Sequence, residues 1–147
     1  MQIRRLTPSD IPLLRQLNAV FADAFNEPET YRPAPDDRYV EQVLGQDHVI
    51  VLVAIEESAV VGGLVAYDLP KLERARSEVY LYDLAVAAAH RRQGIATALI
   101  ARLRVLAHQR GAWVVFVQAD HGDDPAIALY EKLGMREDVM HFDLPVP

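Results

Sequence analysis

The residues whose types and spacing most clearly suggest a chemical role lie in the stretch HRRQGIATALI, at positions 90–100. Two adjacent arginines, Arg91 and Arg92, precede Gly94, where a helical pattern of apolar residues begins. The first backbone N–H groups of a helix lack partners within it, and the helix dipole adds partial positive charge, so a helix start is a ready anion site. Arginine adds charge-assisted bonds to phosphate oxygens. The stretch therefore favours a pyrophosphate ligand, although a basic turn is as often only a solvated loop.

The distribution of charge along the chain supports this interpretation. The net charge is −6, yet residues 84–119 contain five arginines and no Asp or Glu. The turn matches neither the nucleotide P-loop, G-x-x-x-x-G-K-[ST], nor the dinucleotide-binding G-x-G-x-x-G. Seven acidic residues follow from Asp120 onward, opposed only by Lys132 and Arg136. A basic segment suited to a polyanion is thus followed by an acidic one suited to a cationic ligand.

Length and composition exclude several classes of protein. A chain of 147 residues, 51% of them hydrophobic, is enough for one domain with a sizeable core. There is no apolar run of 18 residues and no signal-peptide core, so we expect no membrane span and a cytoplasmic location. The absence of cysteine excludes a thiol nucleophile. The five histidines lack metal-ligand spacing, and the acidic balance argues against nucleic acid, so neither metal nor nucleic acid is expected.

The elements that must position these residues follow from hydrophobic periodicity. The pattern predicts a single α/β domain, with a mixed sheet flanked by helices. Predicted strands cover residues 2–6, 48–55, 60–67, 79–86, 113–119 and 135–143. One predicted helix begins after the cap Thr7, and three more cover 36–44, 94–110 and 125–133. Residues 26–35, with three prolines, are predicted as a loop. The basic turn therefore joins the fourth strand to a long helix.

Two motifs on these elements resemble a known superfamily. Arg91-x-x-Gly94-x-Ala96 resembles the acyl-CoA signature R/Q-x-x-G-x-G/A of the GNAT N-acetyltransferases, and it follows a hydrophobic strand as it does there. The segment from Asp123 to Met135 is similar to the second family motif, N-x-x-A-x-x-x-Y-x-x-x-G-F, with Asp for Asn and Met for Phe. The order of elements matches over the full chain. The resemblance implies the GNAT acyl-CoA N-acyltransferase fold, with splayed fourth and fifth strands.

The resemblance also implies a site for acetyl-CoA as cosubstrate. Backbone amides of the basic turn would hold the pyrophosphate, and the pantetheine arm would lie in the gap beside a bulge near 84–86. An amide near Val86 would polarise the thioester carbonyl, as oriented N–H groups do for a developing oxyanion. The residues implied to contact acetyl-CoA are Leu84, Ala85, Val86, Arg91, Arg92, Gln93, Gly94, Ile95, Ala96, Thr97, Asp123, Ala126 and Tyr130.

Catalysis in such enzymes proceeds by direct attack of an amine on acetyl-CoA, so the resemblance gives Tyr130 the role of general acid towards the CoA thiolate. A tyrosine pKa near ~10 keeps that hydroxyl protonated at neutral pH. The alternative for Tyr130 is a core aromatic packed on the sheet. The general base is left open between Asp83 and Asp120, with His121 or a water chain as further options.

A closer resemblance covers residues 67–143, where the strings YLYDLAV, VQADHGDDPAIALY and VMHFD look like the GNAT-type aminoglycoside 3-N-acetyltransferases. This implies transfer of acetyl to the 3-amino group of the drug, and antibiotic resistance. The candidate substrate contacts are Glu29, Tyr31, Glu78, Tyr80, Tyr82, Asp120, Asp123 and Asp143. For Glu29 and Tyr31, a solvated loop is equally compatible, and Asp124 is expected mainly to cap its helix.

Other functions remain compatible with the same residues. One is an acetyltransferase for a polyamine such as spermidine, or for peptide amines. Another is a non-catalytic module that binds acetyl-CoA. Dimers are common in the family, and the apolar terminal stretch VMHFDL is a candidate for mediating a homodimer.

Overall fold

A computed structural model describes all 147 residues. The chain forms one five-stranded sheet with helices on both faces. The strands lie in sequence order across the sheet and are antiparallel except for the last pair. They are β1 (Gln2–Arg5), β2 (Val49–Glu56), β3 (Ala59–Pro70), β4 (Ser77–Val86) and β5 (Ala112–Val117). The helices are α1 (Ile11–Phe25), α2 (Pro28–Tyr31), α3 (Asp37–Leu44), α4 (Ile95–Gln109) and α5 (Asp124–Leu133). This confirms the predicted α/β class and the GNAT-type arrangement of a mixed sheet.

The hairpin of β2 and β3 forms the centre of the sheet. Its turn residues Glu57 and Ser58 both have positive φ, 48° and 67°, the conformation that a two-residue turn needs to match the strand twist. Most side chains of both strands are buried, because helices cover both faces. At Gly63 a Cβ would lie 2.6 Å from both the Leu17 side chain and the Leu52 carbonyl, so glycine is what lets α1 pack this closely.

Two apolar cores lie on opposite faces of the sheet. On one face, α4 packs Leu99 and Leu103 against β2, β3 and β4, and the partly buried side of α5 joins this cluster. On the other face, Leu17 and Phe21 of α1, with Val40 of α3, pack against the opposite side of the same strands. Each buried side chain of β4 packs against one of these two cores.

A β-bulge at Tyr82 reverses that assignment along β4. Leu81 pairs with Ala66 and Asp83 pairs with Val65, so Tyr82 is the extra residue. Before the bulge, Leu81 faces the α4 core, and after it Leu84 does so, while Asp83 faces the α1 side. The bulge was predicted near Leu84–Val86 and lies two residues earlier, because the register of a strand pair is not set by local sequence.

Strands β4 and β5 separate after a short parallel pairing. Their ladder runs from Ser77 with Ala112 to Leu81 with Val117, where β5 ends. The rest of β4, up to Val86, has no partner strand on that side. The predicted splay of these strands is therefore present, and it opens a gap beside the second half of β4.

Two predicted segments differ from the structure. Residues 135–143, predicted as a last strand, have no strand partner and lie exposed. Residues 28–31, predicted as part of a loop, form the short helix α2, since Pro28 occupies its first turn, where the missing N–H has no consequence. None of the α-helices combines the length and the apolar character that a membrane span requires.

Candidate active site

The turn before α4 has the backbone geometry of an anion-binding site. Arg92 and Gly94 both have positive φ, 62° and 79°, and Gly94 is the N-cap of α4. None of the backbone N–H groups from Arg92 to Thr97 has an acceptor within the protein. A run of such N–H groups in alternating backbone conformation forms a concave nest for anions, and the helix dipole reinforces it. The geometry fits a pyrophosphate.

The arginines of the basic segment have different roles. The Nε of Arg91 donates to the Val86 carbonyl at 3.1 Å, which ties the anion-binding turn to the end of β4. Arg110, at the end of α4, instead pairs with Asp68 at 2.8 Å and Asp47 at 3.1 Å. Partial burial lowers the pKa of the Arg110 guanidinium, but these two carboxylates together outweigh it and raise the pKa above its usual value. Arg110 therefore fastens α4 to the sheet and does not serve the anion site.

Backbone N–H groups of β4 face the gap. The N–H of Ala87 donates to the Val61 carbonyl of β3 at 2.8 Å. Because backbone groups alternate in direction along an antiparallel pair, the N–H groups of Leu84 and Val86 point away from β3, towards the gap. These donors are therefore available to a carbonyl oxygen placed there, which is the geometry of an oxyanion hole.

Tyr130 lies on the α4 side of the sheet and packs against the same core as Leu84 and Val86 do. Burial and, secondarily, the nearby Asp123 raise the pKa of Tyr130 to about 12. Its hydroxyl has no hydrogen-bond partner within the protein. Asp123 itself caps α5, accepting from the Ala126 N–H at 3.3 Å, so the expected capping role falls to Asp123 and not Asp124. Tyr130 is thus a protonated hydroxyl without a fixed partner.

Asp83 lies on the opposite face, half-buried beneath α2. The hydroxyl of Tyr31 donates a hydrogen bond to Asp83 Oδ1 at 3.0 Å, so Tyr31 is not a solvated loop residue. Burial raises the pKa of Asp83, an effect that the hydrogen bond from Tyr31 opposes and the nearby Glu27 adds to. Burial and the Asp83 charge also raise the pKa of Tyr31. A carboxylate with a raised pKa is a better proton acceptor than a fully solvated one.

Aromatic rings extend from Asp83 along the sheet. Tyr82 contacts Tyr67 and Tyr80 edge-on, with ring centroids 6.0 and 5.5 Å apart, and Tyr80 stacks on Phe116 at 4.7 Å. Burial first, and Asp83 among the nearby groups, raises the pKa of both Tyr67 and Tyr80. We call Tyr31, Tyr67, Tyr80 and Tyr82 the tyrosine wall. Its ring faces and neutral hydroxyls suit an ammonium ligand held by Asp83.

The remaining predicted substrate contacts are not gathered at Asp83. Asp120 is exposed in the loop after β5, two positions beyond Gln118, which accepts a hydrogen bond from Tyr80 at 2.9 Å. Glu78 lies at the other end of β4 and accepts from the Trp113 indole at 3.0 Å. Glu29 is exposed on α2. Asp143 lies in the exposed terminal segment and contacts only His141, at 2.8 Å.

Three residues of the site were missed from the sequence. Tyr67 pairs with Tyr80 across the β3–β4 ladder, Gln118 bonds to Tyr80, and Glu27 lies close enough to raise the pKa of Asp83. The one signal for Tyr67 was that its strand and the strand of Tyr80 are consecutive in the chain, so their tyrosines could face each other across a strand pair. Gln118 and Glu27 have no signal without the fold. No cluster of three or more metal-ligating side chains is present.

The candidate residues therefore flank the gap from two sides. Asp83 and the tyrosine wall lie on the α1 face, Tyr130 lies on the α4 face, and free N–H groups of β4 lie between them. A carbonyl in the gap is exposed to an amine from the first face, while its leaving group is near a proton donor on the second. This arrangement suits direct transfer of an acyl group from a thioester to an amine.

Several known proteins resemble this chain in sequence and fold. The model of the acetyltransferase (GNAT) family matches residues 14–135. A crystal structure of an aminoglycoside acetyltransferase from an uncultured soil metagenomic sample is 52% identical, covers 99% of this chain and 98% of its own, and superposes with a TM-score of 0.97.

Two further relatives are more distant. An aminoglycoside acetyltransferase, also from an uncultured soil sample and crystallised with sisomicin, is 33% identical, with coverage of 99% and 96% and a TM-score of 0.93. The uncharacterized N-acetyltransferase YhfO of Bacillus subtilis is 29% identical over 100% of this chain and 99% of its own length.

Proposed function

The chain belongs to the acetyltransferase (GNAT) family, and on that premise we propose that it transfers acetyl from acetyl-CoA to an amino group of an aminoglycoside antibiotic. The observation that carries the proposal is Asp83, half-buried behind the tyrosine wall and beside the gap between β4 and β5. An aminoglycoside bears several ammonium groups, and a carboxylate with aromatic faces is what such a cation needs. The 52% identity to an aminoglycoside acetyltransferase supports the same substrate class.

Acetyl-CoA binding is assigned to the turn before α4. The free N–H groups from Arg92 to Thr97 would hold the pyrophosphate, and Arg91 would fix the turn against β4. The pantetheine arm would then run into the gap and bring the thioester carbonyl to the Val86 N–H. The donor set fits this cosubstrate because it is entirely positive or neutral and includes the start of a 15-residue helix.

The chemistry follows from the two faces of the gap. Asp83 takes a proton from the substrate ammonium, and the freed amine nitrogen forms a bond to the thioester carbonyl carbon. The Val86 N–H stabilises the resulting oxyanion. When this intermediate collapses, the carbon–sulfur bond breaks and the nitrogen releases its second proton to solvent. The thiolate receives a proton from Tyr130, the tyrosinate is reprotonated from solvent, and Asp83 returns its proton to solvent. Asp120, the alternative base, is exposed in the loop after β5, whereas Asp83 is half-buried and burial raises its pKa, which is why Asp83 is preferred.

We further propose that the acetylated position is the 3-amino group and that the result is antibiotic resistance. Acetylation removes one positive charge, and charge is what a polycation uses to bind the phosphates of RNA. A cytoplasmic location is part of this proposal, because acetyl-CoA and ribosomes share that compartment. The second candidate is acetylation of a polyamine such as spermidine, which the same carboxylate and rings would also attract.

A substrate panel tests these proposals. Release of free CoA, detected with a thiol reagent, would be compared for gentamicin, sisomicin, kanamycin, apramycin, spermidine and a lysine-containing peptide. Turnover on 4,6-linked aminoglycosides, with the product acetyl located at the 3-amino group by NMR, is expected. Turnover on spermidine or the peptide alone would exclude an aminoglycoside as the substrate and leave the proposed mechanism in place. Binding of acetyl-CoA without turnover on any amine would point to a non-catalytic module.

A further inference from the structure

The end of the β2–β3 hairpin contacts the segment that leads into the turn before α4. Glu56 is the last residue of β2, and its Oε2 lies 3.3 Å from Nδ1 of His90. His90 ends the short 3-10 helix that follows β4, and it directly precedes Arg91, where the basic turn starts. The contact therefore joins the end of a central strand to the start of the turn.

Few other polar contacts fix this segment. The backbone N–H groups of His90 and Arg91 bond only to carbonyls at the start of the short 3-10 helix, at 2.9 and 3.5 Å. The Arg91 guanidinium reaches back only to the end of β4. The pair with Glu56 is the one side-chain hydrogen bond or ion pair that joins residues 88–97 to a residue more than five positions away. Glu56 is thus the distant polar anchor of this segment.

Glu56 holds His90 from a well-fixed position. It pairs with Ala59 across the two-residue turn of the hairpin, at the end of a fully paired strand. The side chains of Glu56 and His90 are each about one-third exposed, so water screens their contact less than it would on an open surface. A neutral imidazole can donate its Nδ1–H to a carboxylate, as the charged form does. The contact therefore does not require a charge on His90.

Charge alone would give Glu56 the opposite effect on a phosphate ligand. A carboxylate near a pyrophosphate repels it, and the segment 84–119 contains no acidic residue. Glu57, the next residue, carries the same charge but is exposed and makes no ion pair. If Glu56 acts only through its charge, its removal strengthens the binding of an anion, as removal of Glu57 would. If it acts through His90, its removal weakens that binding.

We propose that Glu56 and His90 are positioning residues for acetyl-CoA, which act through the turn before α4. This inference rests on the proposed assignment of that turn to the pyrophosphate. Glu56 holds His90, His90 fixes the start of the turn, and the free N–H groups from Arg92 to Thr97 are thereby held together in one place. Donors that are already in position lose less freedom when a ligand binds, so the pair raises the affinity for acetyl-CoA.

Calorimetric titration with CoA tests the proposal on the intact chain. Glu56→Gln and His90→Phe should each weaken CoA binding about threefold or more. The matched control is Glu57→Gln, which removes the same charge one residue away and should leave CoA affinity unchanged or raise it. A Glu56→Gln variant that binds CoA as tightly as wild type, or more tightly, would overturn the proposal.

A double-mutant cycle shows whether the two side chains act together. Because each single variant already loses the contact, the double variant should bind CoA no more weakly than the weaker of the two single variants. Losses that add would mean that Glu56 and His90 act separately, contrary to the proposal. The control is His141→Phe, which breaks a histidine–carboxylate contact of 2.8 Å in the exposed terminal segment and should leave CoA affinity unchanged.

Steady-state kinetics separate positioning from a general loss of structure. In Glu56→Gln and His90→Phe, KM for acetyl-CoA should rise while kcat and KM for the amine stay at their wild-type values. A fall in kcat that matches a loss of folded protein in chemical denaturation would reduce the pair to a structural contact. A wild-type protein that does not bind CoA would overturn the proposed cosubstrate site itself. Normal CoA binding by wild type and by both variants would overturn only this inference.

Discussion

Tyr31 and Asp83 are 52 positions apart in the sequence, yet the tyrosine hydroxyl donates a hydrogen bond to the carboxylate at 3.0 Å. The contact joins α2, a four-residue helix, to the strand residue that follows the bulge of β4. It places a neutral donor beside a half-buried charge, where the hydrogen bond favours the ionised form. The short helix thereby controls how readily Asp83 carries a negative charge.

Changing Tyr31 to Phe should move the acidic limb of the pH–rate profile to higher pH. The hydrogen bond from Tyr31 lowers the pKa of Asp83 against the larger effect of burial, which raises it. Without that bond, burial is less opposed, so Asp83 stays protonated, and unable to accept a proton, up to a higher pH. The measurement is kcat/KM for the best aminoglycoside across pH, with Tyr39→Phe as the matched control.

Tyr39 is an exposed tyrosine whose hydroxyl makes no hydrogen bond, so its loss should leave the limb in place. If the acidic limb is unchanged in the Tyr31 variant, with turnover otherwise intact, Asp83 is not the general base. A limb that moves in both variants would trace the effect to the aromatic surroundings instead.

Changing Asp83 to Asn should reduce kcat by about 10²–10⁴-fold without a loss of thermal stability at neutral pH. Because burial raises the folded-state pKa of Asp83, the folded protein holds this proton more tightly than the unfolded chain does. The charged carboxylate therefore weakens folding as pH rises through its titration range. Asn carries no charge, so the variant should melt at or above the wild-type temperature.

Turnover and melting temperature together test that assignment. If Asp83 had only a structural role, the Asn variant would melt at a lower temperature than wild type. Its loss of activity would then match the loss of folded protein. Asp120→Asn is the companion variant, because that carboxylate is exposed and has no side-chain partner. If it is the Asp120 variant that loses turnover, the base lies in the loop after β5.

Features set by local sequence were predictable, and they include the start of α4. Gly94 marked a helix start after a basic turn, and the structure has Gly94 as the N-cap of α4. The turn at Glu57 and Ser58 joins the two strands expected there, although neither residue is the glycine that such turns favour. These elements depend on contacts between near neighbours in the chain, which a single sequence displays.

Features set by distant contacts were not predictable. The bulge at Tyr82 fixes that Asp83 faces α1, and it depends on the register between β3 and β4. Glu78 was predicted as a substrate contact in the connection before the fourth strand. It instead lies in β4, at the opposite end from Asp83, and accepts a hydrogen bond from Trp113. Residues 135–143 were predicted as a strand, yet they have no strand partner, and a strand needs an edge to pair with.

Changing Tyr130 to Phe should lower kcat by about 10²–10⁴-fold and leave the dissociation constant of CoA unchanged. The hydroxyl has no partner in the protein, so its removal leaves no unpaired polar group and should not affect folding. Since the pKa of Tyr130 is about 12, its ionisation should also impose no loss of activity on wild type at mildly basic pH.

Single-turnover kinetics and calorimetric titration with CoA separate the two effects. A Phe variant with wild-type kcat would leave Tyr130 as a core aromatic. Weaker CoA binding, with the chemical step unaffected, would make it a packing residue of the cosubstrate site.

Changing Gly94 to Ala should weaken CoA binding about tenfold or more, whereas the same change at Gly111 should not. Both glycines have positive φ, 79° and 82°, and an added Cβ meets nothing within 4 Å at either one. Alanine in this conformation costs roughly 1–2 kcal/mol at each position, so the two variants should lose similar stability in chemical denaturation. They differ in place, because Gly94 precedes α4, amid the free N–H groups, and Gly111 follows its last turn. Relaxing the strained backbone at Gly94 turns those N–H groups away from the phosphates. Titration with CoA should therefore distinguish the pair, and equal affinities in both variants would exclude this turn as the pyrophosphate site.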